Sequence, residues 1–394
     1  MTTLPSRTVD GSFTPPVVSR LPQVGTTIFT VMSALAQEHG AVNLGQGFPD
    51  FGCDPALLDA VERAMRDGHN QYAPMPGVLA LRQRVAQKIS ACGGRDYDPV
   101  TEITITAGAS QAILTVMLAV VQSGDEVILL DPCFDSYAPN VALCGGNAVH
   151  VPLTDGSFRP DFERIEQALS HRTRLVVINT PHNPTATVWT VDDMKRLAEL
   201  LRPFQTLVIS DEVYEHMVFD GARHESVALH PELAARAFVV SSFGKTLHVT
   251  GWKVGTVAAP AALTAEFRKV HQFNVFSVNT PVQHGLATYL EDLQPAFALP
   301  DFYQQRRDHF ATGLRHTRLR PLACAGTYFQ CVDYANVSDE SERDFCVRLT
   351  REVGVAAIPL SAFYADAREQ HIVRFCFAKQ TATLDEAINR LQRL

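Results

Sequence analysis

The spacing of hydrophobic and polar positions changes several times along the chain. From Thr27 to Glu38, Ile28, Val31, Met32 and Leu35 recur at helical intervals, which predicts an amphipathic helix. A stretch dense in breakers follows from Asn43 to Pro55 and reads as a loop crossing between units. Between residues 102 and 258, short apolar runs alternate with helical patterns. Strands are predicted at 102–106, 126–130, 147–151, 175–179, 206–210, 237–241 and 254–258, and helices at 110–121, 136–144, 161–169 and 191–200. The runs LVVIN (175–179) and TLVIS (206–210) are apolar throughout, as in strands covered on both faces. This alternation predicts an α/β unit with a largely parallel sheet, whose functional loops lie at the carboxyl ends of the strands.

After about Pro295 the rhythm changes. A helix at 302–315, a strand at 327–332, a helix at 340–353, a strand at 372–377 and a helix from Leu384 predict an α+β unit, joined in space by residues near 31–46. The first 25 residues, rich in Pro, Ser, Thr and Val, suggest an extended arm. The expected division is an arm over 1–30, a small α+β domain from 31–48 and 295–394, and a large domain over 49–294.

Composition narrows the functional classes. The 394 residues carry 34 Lys+Arg against 42 Asp+Glu, a formal charge of −8, which argues against nucleic acid as the main partner. The longest strongly apolar run, Ile113 to Val121, falls well short of the about 20 residues a membrane-spanning helix needs. Met1 to Arg20 lacks the apolar core of a secretory signal. Eight scattered cysteines without a CxxC pair signal neither a zinc cage nor a disulfide framework. The expectation is a cytoplasmic protein with no membrane partner and no metal.

Three signals fall where the sheet should present its loops. Gly108-Ala109-Ser110 lies between a strand and a helix, where small residues and free N–H groups can receive an anion. Asp211 ends an apolar strand, with Tyr214 three residues on; a carboxylate there needs a cationic partner. Ser242-Phe243-Gly244-Lys245 follows another strand, and a lysine in a partly desolvated pocket loses its proton readily enough to attack a carbonyl. Lys253 adds a cation of the kind a phosphate requires. Taken singly, each has a plain structural reading: a strand-to-helix turn, a helix cap and a surface lysine. Together they match what pyridoxal 5′-phosphate demands: a phosphate cradle, an acid for the ring nitrogen and a Schiff-base lysine.

The order and spacing of these motifs resemble the fold type I, class I and II aminotransferases. The resemblance runs from roughly Leu21 to the C-terminus and is strongest to bacterial methionine aminotransferases and the kynurenine/glutamine aminotransferases. Asn43-Leu44-Gly45-Gln46-Gly47-Phe48-Pro49-Asp50, Asn179-Thr180-Pro181-His182-Asn183-Pro184 and Ser242-Phe243-Gly244-Lys245 carry it as a set. It implies a PLP-dependent transferase fold with a mostly parallel seven-stranded sheet and a smaller α+β domain. By that resemblance Lys245 bonds the cofactor and moves the substrate proton, and Asp211 pairs with the ring nitrogen. Tyr214 and Asn183 bind the ring oxygen, and Phe134 stacks on the ring. Gly108, Ala109, Ser110, Ser242 and Lys253 hold the phosphate. Tyr72 would reach the phosphate of a second subunit, which implies a homodimer with shared sites. Arg374, assisted by Asn183 and Gly47, grips the substrate carboxylate. Phe29 lines a side-chain pocket suited to apolar or thioether amino acids such as methionine.

Two departures stand out. Lys253, eight positions after Lys245, is a point charge where the family commonly has Arg, and Asn183-Pro184-Thr185-Ala186 lacks the glycine many relatives carry. The expected activity is ping-pong transfer of an amino group from an L-amino acid to a 2-oxo acid. A PLP-dependent C–S β-lyase, a kynurenine/glutamine-type aminotransferase and the sensing module of a regulator are the alternatives. The last would carry an N-terminal DNA-binding domain, and the arm shows no such pattern.

Overall fold

The computed structural model describes residues 17–394. Much of the arm expected over 1–30 therefore lies outside the described residues, and its end is already helical. Thr27 caps that helix, Ile28–Glu38, by accepting the Thr30 N–H.

Among the described residues thirteen strands follow in chain order. They are β1 (Val42–Asn43), β2 (Ile103–Thr106), β3 (Glu126–Asp131), β4 (Asn147–Pro152), β5 (Thr173–Asn179), β6 (Leu207–Asp211), β7 (Ala237–Ser242), β8 (Gly255–Ala258), β9 (Arg320–Pro321), β10 (Phe329–Asp333), β11 (Val355–Ala356), β12 (Ile358–Pro359) and β13 (Ile372–Cys376). Seven of them form one sheet in the order β2-β8-β7-β6-β5-β3-β4. All its pairings are parallel except those of β8, which runs against both neighbours.

The uninterrupted apolar runs have the expected cause. Val127 and Leu129 of β3 enter one core cluster, while Ile128 and Leu130 enter the other, across the sheet. Both faces are thus covered, and alternate side chains serve two cores.

A second, antiparallel sheet has the order β12-β13-β10-β9, and β1 pairs in parallel with β11. That pairing ties residues 42–43 to the C-terminal region. The helix expected over 340–353 is α-helical only over Glu342–Arg348; its last turn widens to a π turn, Leu349–Val353, that closes on Gly354 at φ +79°.

Four helices of ten or more residues were not anticipated: Pro55–Arg66, Leu79–Ala91, Ala261–Asn274 and Thr280–Tyr289. The first and last pack closely because Gly285 has no side chain. A Cβ there would lie 2.4 Å from Val61 Cγ2 and 2.8 Å from the Val61 backbone.

Candidate active site

Parallel strands deliver their carboxyl ends to one edge of the sheet. β6 and β5 end in register, Asn179 beside Asp211. β7 ends at Ser242 and leads into the short helix Phe243–Thr246, which carries Lys245. The reversed β8 begins at this same edge, so Gly255 pairs with both Thr106 and Ser242. Lys253 is thereby placed beside the start of the helix Gly108–Val120. Gly255 permits the approach: a Cβ would sit 2.7 Å from the Ser241 carbonyl and 3.1 Å from the Ala109 nitrogen.

A cavity of about 250 Å³ opens at this edge. It is lined by Phe29, Gly47, Gly108, Ala109, Ser110, Phe134, Asn183, Asp211, Tyr214, Ser242, Lys245, Lys253 and Arg374. Among the candidate residues Tyr72 stands apart, exposed and packed edge-on against Phe276. Asn179, Val213, Thr250 and Phe329 also face the cavity, and sequence reasoning passed over them.

Asp211 is buried at the end of β6. Burial pushes its carboxyl up to about 6, against the pull of a hydrogen bond from the Tyr137 hydroxyl at 2.5 Å. The Val213 N–H donates to its other oxygen at 3.3 Å. Lys245 Nζ donates to the Gly47 carbonyl at 3.1 Å and to the Tyr328 hydroxyl at 2.9 Å. Burial lowers this ammonium to about 8, so a usable fraction is free amine near neutral pH. Tyr328 in turn donates to the Gly47 carbonyl at 2.5 Å. It is a second contact that motif reading missed, since it enters from the neighbouring sheet region.

Arg374 crosses from β13, almost wholly buried. One arm of its fork donates to Asn183 Oδ1 at 2.5 Å, and the other lies 3.4 Å from the Gly45 carbonyl. Its guanidinium lies 3.9 Å from the Phe329 ring centre and 5.5 Å from that of Phe29. Asn183 is held by its own N–H on Asn179 Oδ1, while Asn179 Nδ2 donates to the Asp211 carbonyl.

The loop after Asn179 shows how the missing glycine is tolerated and what His182 does. Ala186, where relatives carry glycine, has φ +62° and is completely buried, so the left-handed turn persists despite a Cβ. His182 is buried against the Thr185 hydroxyl at 2.6 Å, and burial lowers it to about 4, making it a neutral hydrogen-bonding group of the turn.

Behind the site, Glu215 sits between Lys88 at 2.5 Å and the Ser241 hydroxyl. Burial opposes its charge, but Lys88, His216 and Ser241 hold the carboxyl down to about 2, clamping the segment that carries Asp211 and Tyr214. Asp131, Cys133 and His150 bring potential ligand atoms within 4.8 Å of one another. Asp131 there accepts His150 Nδ1 and the Ala365 N–H, and joins the two sheet regions.

Comparison with known proteins agrees with this geometry. Residues 39–391 match the family model "Aminotransferase class I and II". The methionine aminotransferase of Escherichia coli (strain K12) is 52% identical over 95% of this chain and 98% of its own. Human kynurenine--oxoglutarate transaminase 1 is 33% identical over 91% and 93%. An E. coli crystal structure assigned a methionine aminotransferase function superposes with a TM-score of 0.95 at 51% identity, covering 97% of this chain and all of that one.

Proposed function

The chain belongs to the class I and II aminotransferases and is a transaminase; from that premise we propose that it binds pyridoxal 5′-phosphate and moves the amino group of an apolar, thioether or aromatic L-amino acid, methionine favoured, to a 2-oxo acid. When bound, this cofactor supplies an electron sink that loosens the substrate's α-proton, and a carrier for the amino group.

The residues fit such a group. Gly108 adopts φ +79°, and a Cβ on it would fill the space 3.5 Å from Lys253 Nζ. Backbone N–H groups at the start of the helix Gly108–Val120, with Ser110, Ser242 and Lys253, suit a phosphate. Among the described residues no Lys, Arg or His forms an ion pair with Asp211, so its carboxylate is free to pair with a protonated ring nitrogen. Tyr214 and Asn183 suit the ring oxygen, and Phe134 the ring face.

Chain residues then perform the remaining work. Arg374 orients the substrate by its α-carboxylate, using the fork that Asn183 and Gly45 hold in place. With the cofactor bound, Lys245 Nζ would take the substrate's Cα proton and give it back, since an amine lowered to about 8 can both accept and release a proton near neutral pH. Phe29 and Phe329 wall the space beside Arg374, which favours an apolar or thioether side chain. The observation that carries the reading is that one cavity receives both the Lys245 amine and the Arg374 fork.

We further read residues 31–48 and 295–394 as a small domain against a large one at 49–294, and the protein as a cytoplasmic homodimer. Tyr72 is 81% exposed, and Leu58 and Met65 present apolar surface along a groove with Trp252 and Val282. Such a patch suits a second copy that receives Tyr72 near its phosphate site. No helix among the described residues is long and apolar enough to cross a membrane.

The test is a screen of twenty amino acids against several 2-oxo acids, with pyridoxal 5′-phosphate added. Methionine should rank among the best donors, with parallel lines in double-reciprocal plots. Pyruvate and ammonia released from a cysteine conjugate without an acceptor would instead establish the C–S lyase.

A further inference from the structure

Tyr137 opens the helix Tyr137–Leu143, just after the loop that follows β3. Nothing in the sequence marks it as more than an aromatic at a helix start. It is 2% exposed, sits edge-on to Phe134 at 5.8 Å between ring centres, and belongs to the core cluster holding Cys133, Val141 and Val177. Packing alone would be served by phenylalanine. The hydroxyl instead points out of this apolar surround and meets one atom, Asp211 Oδ2, at 2.5 Å.

The groups around Asp211 define what this contact does. Lys245 approaches from the short helix after β7 and favours the charged carboxylate. Glu212, next in the chain, turns its own carboxylate away to Ser210 and His224. Tyr214 and Cys133 are the other titratable neighbours of Tyr137. Among the described residues, therefore, the Asp211 carboxylate draws hydrogen bonds from one side-chain hydroxyl and one backbone N–H, and from no cation. Burial and the adjacent carboxylate raise the Tyr137 hydroxyl well above its ordinary range, so it remains a donor at every working pH.

Resting on the cofactor reading above, we propose that Tyr137 is a positioning residue for the cofactor's ring nitrogen, acting through Asp211. A proton shared between a carboxylate and a pyridine nitrogen settles on the more basic partner. Each hydrogen bond donated to the charged carboxylate makes it less basic. A charge-assisted hydrogen bond is worth about one to two decades in an equilibrium constant. The Tyr137 hydroxyl thus biases the shared proton toward nitrogen, where it strengthens the electron sink, and fixes the carboxylate against rotation.

The experiment compares wild type with Tyr137→Phe, both as holoenzyme, using pyridoxal 5′-phosphate labelled with nitrogen-15 in the ring. The wild-type ring should resonate in the protonated range at about pH 8, and Tyr137→Phe should move toward the unprotonated range. Turnover should fall about tenfold to a hundredfold, with the amino acid KM little changed, because the bond acts on the ring nitrogen's carboxylate partner and not on the groups that grip the substrate. A purely packing role leaves the nitrogen signal in place, and an unchanged signal in a folded Tyr137→Phe overturns the proposal. If that variant fails to fold, a ring-fluorinated tyrosine at 137 is near-isosteric and a stronger donor. It must then move the signal further toward the protonated range; no movement overturns the proposal. A wild-type protein that shows no bound signal at all refutes the cofactor reading instead.

Discussion

Replacing Arg374 by lysine isolates the geometry of the fork from its charge. The guanidinium is held by Asn183 Oδ1 at 2.5 Å, by the Gly45 carbonyl at 3.4 Å, and by stacking 3.9 Å from the Phe329 ring centre. Its Nε is buried without a protein partner. A carboxylate gripped by two prongs receives two charge-assisted hydrogen bonds, and a lysine offers at most one with comparable geometry. One such bond is worth about 1.5–3 kcal/mol, so kcat/KM should fall about 10- to 150-fold at 1.4 kcal/mol per decade. Steady-state rates measured with the amino acid and, separately, with the 2-oxo acid should fall together, since both carboxylates use one site. An amine lacking the α-carboxylate should react equally with both proteins. A threefold or smaller loss on the carboxylate substrates, or the same loss on the bare amine, would refute this role.

Two further outcomes follow from the site. Asp211 is raised to about 6, against about 3.9 unfolded. Between those values the folded state holds the extra proton, so stability falls as pH rises through the window and the cost is complete above about pH 6. Asp211→Asn should therefore stabilise the cofactor-free protein by about 2–3 kcal/mol at pH 8 and by much less near pH 4.5, while abolishing turnover; urea unfolding at both values checks it, and equal effects would count against it. Tyr72→Phe should weaken pyridoxal 5′-phosphate retention about tenfold, the worth of one hydrogen bond to a charged group, and leave the dimer intact by sedimentation. Unchanged retention removes the shared-site reading.

How far the sequence carried depended on what each feature needed. Strands such as LVVIN were legible because covered strands must be apolar on both faces, and the cofactor-site candidates because phosphate, ring nitrogen and amine each demand a residue type at a strand end. Direction was not legible: the β8 residues look like those of any buried strand, yet its reversal is what brings Lys253 to the site. The helix Leu79–Ala91 escaped because its N-cap residue, Val78, makes no capping hydrogen bond, and because buried Arg82 and Lys88 interrupt the apolar stripe. Tyr137 and Tyr328 escaped for a different reason. Each places a hydroxyl against a side chain 74 or 83 positions away, and only the packed chain specifies that contact.

The proposed activity requires the side chain at position 245 to be the attachment point for the cofactor. Purified protein incubated with pyridoxal 5′-phosphate, reduced with borohydride and digested should carry the cofactor's mass on Lys245 alone, and Lys245→Ala should carry none there and lose at least about 10²-fold in turnover. Label spread over surface lysines with Lys245 unmodified, or a Lys245→Ala protein with near wild-type turnover, would contradict it.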